Sequence, residues 1–91
     1  MKYIWETPEE TNLEIAKRLR MIRKRRGFSR QQLSSRSNVS FGSIKRFETT
    51  GNISLLSLTR LAVALDCADE MRRLFTGVEY KNMEEVFRER T

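Results

Sequence analysis

The most sharply patterned part of this 91-residue chain is residues 27–51, GFSRQQLSSRSNVSFGSIKRFETTG. Its apolar residues are few and regularly placed around two serines. Phe28 and Leu33 stand one before and four after Ser29, the positions of a hydrophobic staple, and Gln32 completes an S-x-x-Q capping box. The pattern returns with Ser40, flanked by Val39 and Ile44 at the same offsets. The spacing predicts one helix over 30–37 and a second over 41–48. Between them Asn38 is suited to the left-handed conformation that a sharp turn requires. Two capped helices of about two turns each, joined by three or four residues, describe a helix-turn-helix.

The flanks carry complementary apolar stripes. Thr7-Pro8-Glu9-Glu10 reads as a helix start, with threonine as cap, proline at the first helical position and glutamate closing the box. This helix is expected to run to about Arg26, to bury Asn12, Ile15, Ala16, Leu19 and Ile22, and to stop at Gly27 in the C′ position. Residues 48–52 read as a loop. Ser54 caps a fourth helix to about Leu65, with Leu55, Leu58, Leu61, Ala62 and Leu65 as its core stripe. A fifth helix over 68–75 offers Met71, Leu74 and Phe75, and Gly77 ends it. Val78-Glu79-Tyr80 is a short extended candidate. Asn82 and Glu85 cap a last helix bearing Met83, Val86 and Phe87. Tyr3, Ile4 and Trp5 make an apolar arm that either covers a core edge or reaches a second subunit. The expected organisation is one all-α domain over 1–91: a five-helix core at 7–76, an arm at 1–6 and a short helical tail at 77–91.

Composition narrows the chemistry. With no histidine and a single cysteine, Cys67, neither a zinc cage nor an internal disulfide is expected, and histidine acid–base chemistry is absent. There is no glycine-rich phosphate loop and no clustered carboxylate set, so no catalytic residue is assigned and no cofactor is expected. No apolar run approaches the roughly 18–20 residues of a membrane span, and the start, MKYIWETPEE, does not resemble a signal peptide. The expected compartment is the cytoplasm. The formal charge of +6 is unevenly placed: residues 17–60 carry twelve Lys/Arg against Glu48 alone, a net +11, while 1–16 and 61–91 sum to −3 and −2. A basic block that coincides with a helix-turn-helix is the footprint of a polyanion partner. A basic amphipathic first helix also suits an anionic membrane surface, but the stripes that follow it in the chain can bury its apolar side.

On these residues the chain resembles the lambda-repressor-like (XRE-type, Cro/cI) helix-turn-helix transcriptional regulators. Leu33, Asn38, Val39, Ser40, Ile44, Phe47 and Glu48 fall where that family has Leu, Gly, an apolar residue, Ser/Thr, Ile/Val, an apolar residue and Glu. Leu19, Ile22, Arg23 and Gly27 match its first-helix pattern, and Leu55, Leu58, Leu61, Ala62 and Leu65 its fourth helix. The likeness spans roughly residues 13–76. Three positions depart from it: Arg30 replaces the usual Gln, Ser34 the usual Ala and Asn38 the usual Gly. The Ser34 hydroxyl must find a partner, and Arg30 keeps a phosphate donor with a different reach.

The resemblance implies a recognition helix in the DNA major groove with its first residues at base edges. Ile44 and Phe47 must face the core, so the groove side holds Phe41, Gly42, Lys45 and Arg46, with Ser43 at its edge. The resemblance places base contacts at Phe41, Gly42 and Arg46. Arg46 can fork to guanine O6 and N7, whereas Phe41 has only a thymine methyl or a step shape to read, or else simply packs. Lys45 is open to either base or phosphate. Phosphate contacts are expected at helix N-termini, from Ser29, Arg30, Ser40 and Ser43, and from Asn52 in the loop before Ser54. The resemblance assigns Arg23 and Glu48 to a structural salt bridge between the first helix and the end of the third. The expected function is sequence-specific double-stranded DNA binding as a homodimeric regulator, a repressor in sign. The alternative is an antitoxin subunit that binds a toxin protein encoded by the adjacent gene, because the arm and tail look like those of regulators paired with HipA-type kinase toxins. An enzyme is rejected on the absent chemistry, and RNA binding on the absence of an aromatic strand pattern.

Overall fold

The computed structural model describes residues 6–77 and 88–89. Within residues 6–77 five helices follow one another: α1 (Pro8–Arg25), α2 (Arg30–Ser37), α3 (Phe41–Thr50), α4 (Leu55–Ala64) and α5 (Ala68–Arg72). No strand occurs among the described residues, and the fold class is all-α. The expected arm over 1–5, the extended stretch at 78–80 and the apolar face of the last helix, Met83, Val86 and Phe87, lie outside the described residues.

Local signals account for the helix starts. Thr7 and Glu10 form a reciprocal capping box, as do Ser29 and Gln32; Ser40 and Ser54 each accept from the N–H three residues on. Each cap satisfies a backbone donor that the helix itself leaves unpaired. α1 packs on α3, and α2 packs on both α3 and α4, with α5 folded against α4. The core lies where these helices meet: Ala16, Leu33, Val39, Ile44, Phe47, Leu61 and Leu65 are buried, and Ile15, Leu19, Ile22, Phe28 and Leu58 close around them.

Four expectations need correction. Asn12 is exposed, and of the α1 stripe only Ala16 is fully buried; the small residue lets α3 approach closely while the larger side chains sit at the rim. Leu55, at the first position of α4, is 67% exposed and lies outside the core. α3 continues through Thr49 and Thr50, which the sequence assigned to a loop; the helix stops only where Gly51 turns left-handed at φ 82°. α5 ends at Arg72, three residues early. Residues 73–77 run as turns, Phe75 adopts φ 65° and is 83% exposed, and Leu74 is also exposed. With neither Leu74 nor Phe75 buried, burial gives nothing to extend this short helix past Arg72.

Gly51, at the end of α3, lies close against the backbone of α1. A Cβ there would lie 2.8 Å from the Leu13 amide nitrogen and 2.9 Å from the Asn12 carbonyl carbon. Gly27 shares the left-handed conformation at φ 76° but has nothing within 4 Å of such a Cβ. Gly27→Ala is therefore expected to lose about 1–2 kcal/mol, the cost of the conformation alone. Gly51→Ala should lose clearly more, since it also drives backbone into backbone. Thermal unfolding of the two variants checks the order; equal losses would mean that the α1–α3 approach is not tight.

Candidate nucleic-acid interface

The two helices of the central motif are joined by a turn in which both backbone groups of Val39 are hydrogen-bonded. Asn38 holds it at φ 61°, ψ 27°. The Ser34 hydroxyl donates to the Val39 carbonyl at 2.6 Å, and the Val39 N–H donates to Ser37 Oγ at 3.2 Å. Val39 is buried, so both of its backbone groups need partners inside the fold. The serine in place of the usual small apolar residue thus has a structural use. Phe28 closes the start of α2, and the Arg36 guanidinium lies 4.5 Å above its ring, a cation–π contact at an otherwise solvated side chain.

Glu48 is the charged centre beneath this motif. Its carboxylate is buried and faces several arginines. Arg23 donates from Nε to Oε2 at 2.7 Å and from Nη2 to Oε1 at 3.0 Å, while its Nη1 donates to the Phe28 carbonyl at 2.8 Å. Arg30 donates from Nε to Oε1 at 2.9 Å, and Arg20 stands further out at 3.9 Å. One carboxylate therefore ties α1, α2 and α3 together. Burial pushes the Glu48 carboxyl up, but hydrogen bonds from Arg23 and Arg30, with their charges, outweigh this and hold it below the ordinary glutamate range.

Burial separates the two sides of α3. Ile44, Phe47 and Glu48 point inward, while Phe41, Gly42, Ser43, Lys45 and Arg46 are exposed. Phe41 is 45% exposed and is not part of the core. Ser40 caps the helix and also donates to Ser43 Oγ at 2.8 Å, which leaves the Ser43 hydroxyl hydrogen without an acceptor among the described residues. Ser43, Arg46 and Asn52 line one groove together with Ile53, Ser54 and Ser57, between α3 and the start of α4. Phe41, Gly42 and Lys45 share the exposed side of α3 but do not line that groove. Ser29 lies at the start of α2, its Oγ taken by the Gln32 N–H at 3.1 Å.

Two features escape the sequence. Ser57 joins the groove from the first turn of α4, where the S-x-x-S spacing after the Ser54 cap was the available signal. Arg30 is bonded to Glu48 across eighteen positions of chain, and nothing local signals that contact.

The direction of the Glu48 shift sets a pH dependence. A carboxyl depressed in the folded state stabilises the fold fully above its unfolded pKa, and that contribution is lost as pH falls through the lower, folded value. The melting temperature should therefore drop on acidification below the ordinary glutamate range. Glu48→Gln should be less stable at neutral pH and show a shallower acid dependence. Parallel pH profiles for the two proteins would mean that other carboxylates govern acid unfolding.

No curated protein and no solved structure matches the chain. Residues 14–75 match the family described as a helix-turn-helix domain, a span that begins within α1 and ends beyond α5. It takes in the capped pair α2 and α3, the Asn38 turn and the Arg23–Glu48 ion pair, consistent with the lambda-repressor-like pattern. On this match the chain belongs to the helix-turn-helix domain family.

Proposed function

We propose that this protein is a sequence-specific double-stranded DNA-binding transcriptional regulator, a repressor acting as a homodimer, with α3 as its recognition helix. One observation carries the proposal. The only acid in α3, Glu48, is buried and neutralised by arginines, so the helix presents an outward side with Phe41, Gly42, Lys45 and Arg46 and no negative charge. This side lies within the stretch of net charge +11. Arg46 reads a base edge, and Phe41 offers apolar contact to a thymine methyl. Lys45 adds positive charge beside them, and Ser43 and Asn52, with Ser29, Ser40 and Arg30, hold phosphates.

Gly42 supports the same function. It stands in the first turn of α3 with open space around an added Cβ. The fold has no steric need for glycine there, and glycine lowers helix propensity. Close approach of backbone to a base pair gives it a use. The dimer draws support from exposed apolar residues away from α3: Leu55 and Val63 on α4, and Leu74 and Phe75 after α5. A second copy covering them about a two-fold axis leaves both α3 helices free for the duplex, whose half-sites require them about 34 Å apart.

Binding to the region upstream of the protein's own operon, followed by mobility shift, tests the proposal. If each protomer neutralises on the order of four phosphates, log K against log salt should fall with a slope near −7, with two chains on each duplex. A slope shallower than about −2, or one chain per duplex, would count against it.

Two substitutions separate reading from folding. Arg46→Ala should cost about 1–3 kcal/mol on the cognate site and relax preference at one position of each half-site. Gly42→Ala should raise the melting temperature slightly, by up to about 1 kcal/mol in stability, while weakening cognate binding. If Gly42→Ala bound as tightly as the wild type, the backbone at that position would not approach the DNA.

A further inference from the structure

Arg30 stands at the start of α2 with its Nε bonded to Glu48 on α3. Its side chain is 27% exposed, neither sunk into the core nor free in solvent. Its Nε is held on Glu48 Oε1 at 2.9 Å, an oxygen that also accepts from Arg23. Among the described residues no hydrogen bond leaves its two terminal nitrogens. A guanidinium is a rigid planar fork, so fixing Nε fixes the direction of the remaining N–H groups. A lysine ammonium is a point charge and lacks this property.

We propose that Arg30 is a two-sided positioning residue: Glu48 anchors its Nε, and that anchor holds the terminal nitrogens ready for a backbone phosphate lying against the start of α2. The buried carboxylate then does more than brace the fold. It orders a long side chain before the duplex arrives, so little side-chain freedom is lost on binding. The same carboxylate bonds Arg23 on α1, so the phosphate hook on α2, the brace on α1 and the recognition helix share one rigid node. This assignment rests on the duplex-binding function proposed above.

The test compares wild type, Arg30→Lys and Arg30→Ala, each measured below its melting temperature. Lysine can pair with Glu48 or with a phosphate, but one ammonium on a flexible stem does not supply the two fixed directions of the fork. Arg30→Lys should therefore melt close to the wild type without DNA. It should nonetheless lose on the order of tenfold in affinity on cognate and unrelated duplexes alike. Its salt slope should be shallower by roughly 0.9 for each protomer bound. Arg30→Ala should show the same binding loss together with a lower melting temperature. Wild-type affinity and slope in Arg30→Lys would overturn the proposal, since charge alone would then suffice. Unchanged slopes in both variants would overturn it in the other direction, leaving Arg30 a brace only. Absence of duplex binding by the wild-type protein would remove the proposed function itself, and this assignment with it.

Discussion

The Glu48 carboxylate is the constraint on which the arrangement of α1, α2 and α3 depends. Two of its bonds come from Arg23 on α1 and one from Arg30 on α2, while Glu48 itself belongs to α3. A buried carboxylate without partners costs several kcal/mol, and it tolerates few alternative arrangements of the groups around it. The pairing adds less to net stability than its Coulombic attraction suggests, because desolvating the ions offsets much of that attraction. Its larger effect is on geometry. Any rotation of α2 against α3 would break a charge-assisted bond in a site that water does not reach freely.

That constraint also sorts the electrostatics. Within residues 17–60 a single acid stands among twelve basic residues. By drawing Glu48 inward, the fold removes the one negative charge from the outward side of α3 and leaves Lys45 and Arg46 there. Positive charge and the proposed recognition surface therefore fall on the same side of α3. The serines show a similar economy: Ser34 and Ser37 bond the buried backbone of Val39, and Ser40 caps α3 while leaving Ser43 with a hydrogen to donate outward.

Packing depends as much on what is small as on what is apolar. Ala16 is the fully buried residue of the α1 stripe, and Gly51 ends α3 against the backbone of Asn12 and Leu13. The larger residues Ile15, Leu19 and Ile22 are only partly buried and pack against the core from its edge. An apolar pattern names the side that faces inward, but the closest approach of two helices falls on whichever residues lack bulk.

Much of this molecule was legible in its sequence. The four side-chain caps, the left-handed turn at Asn38, the bounds of α2, the start of α3 and the division of α3 into inner and outer sides all follow from relations within about four residues. Helix geometry converts such spacings directly into neighbours, so composition and spacing suffice. The tertiary structure alone decided the rest. It brought Arg30 to Glu48, Gly51 to Leu13 and Ser57 to Arg46, left Leu55 and Asn12 outside the core, and ended α5 at Arg72. Those outcomes depend on how helices distant in sequence cross, and a crossing is set by the packing of several surfaces at once, which no local spacing specifies.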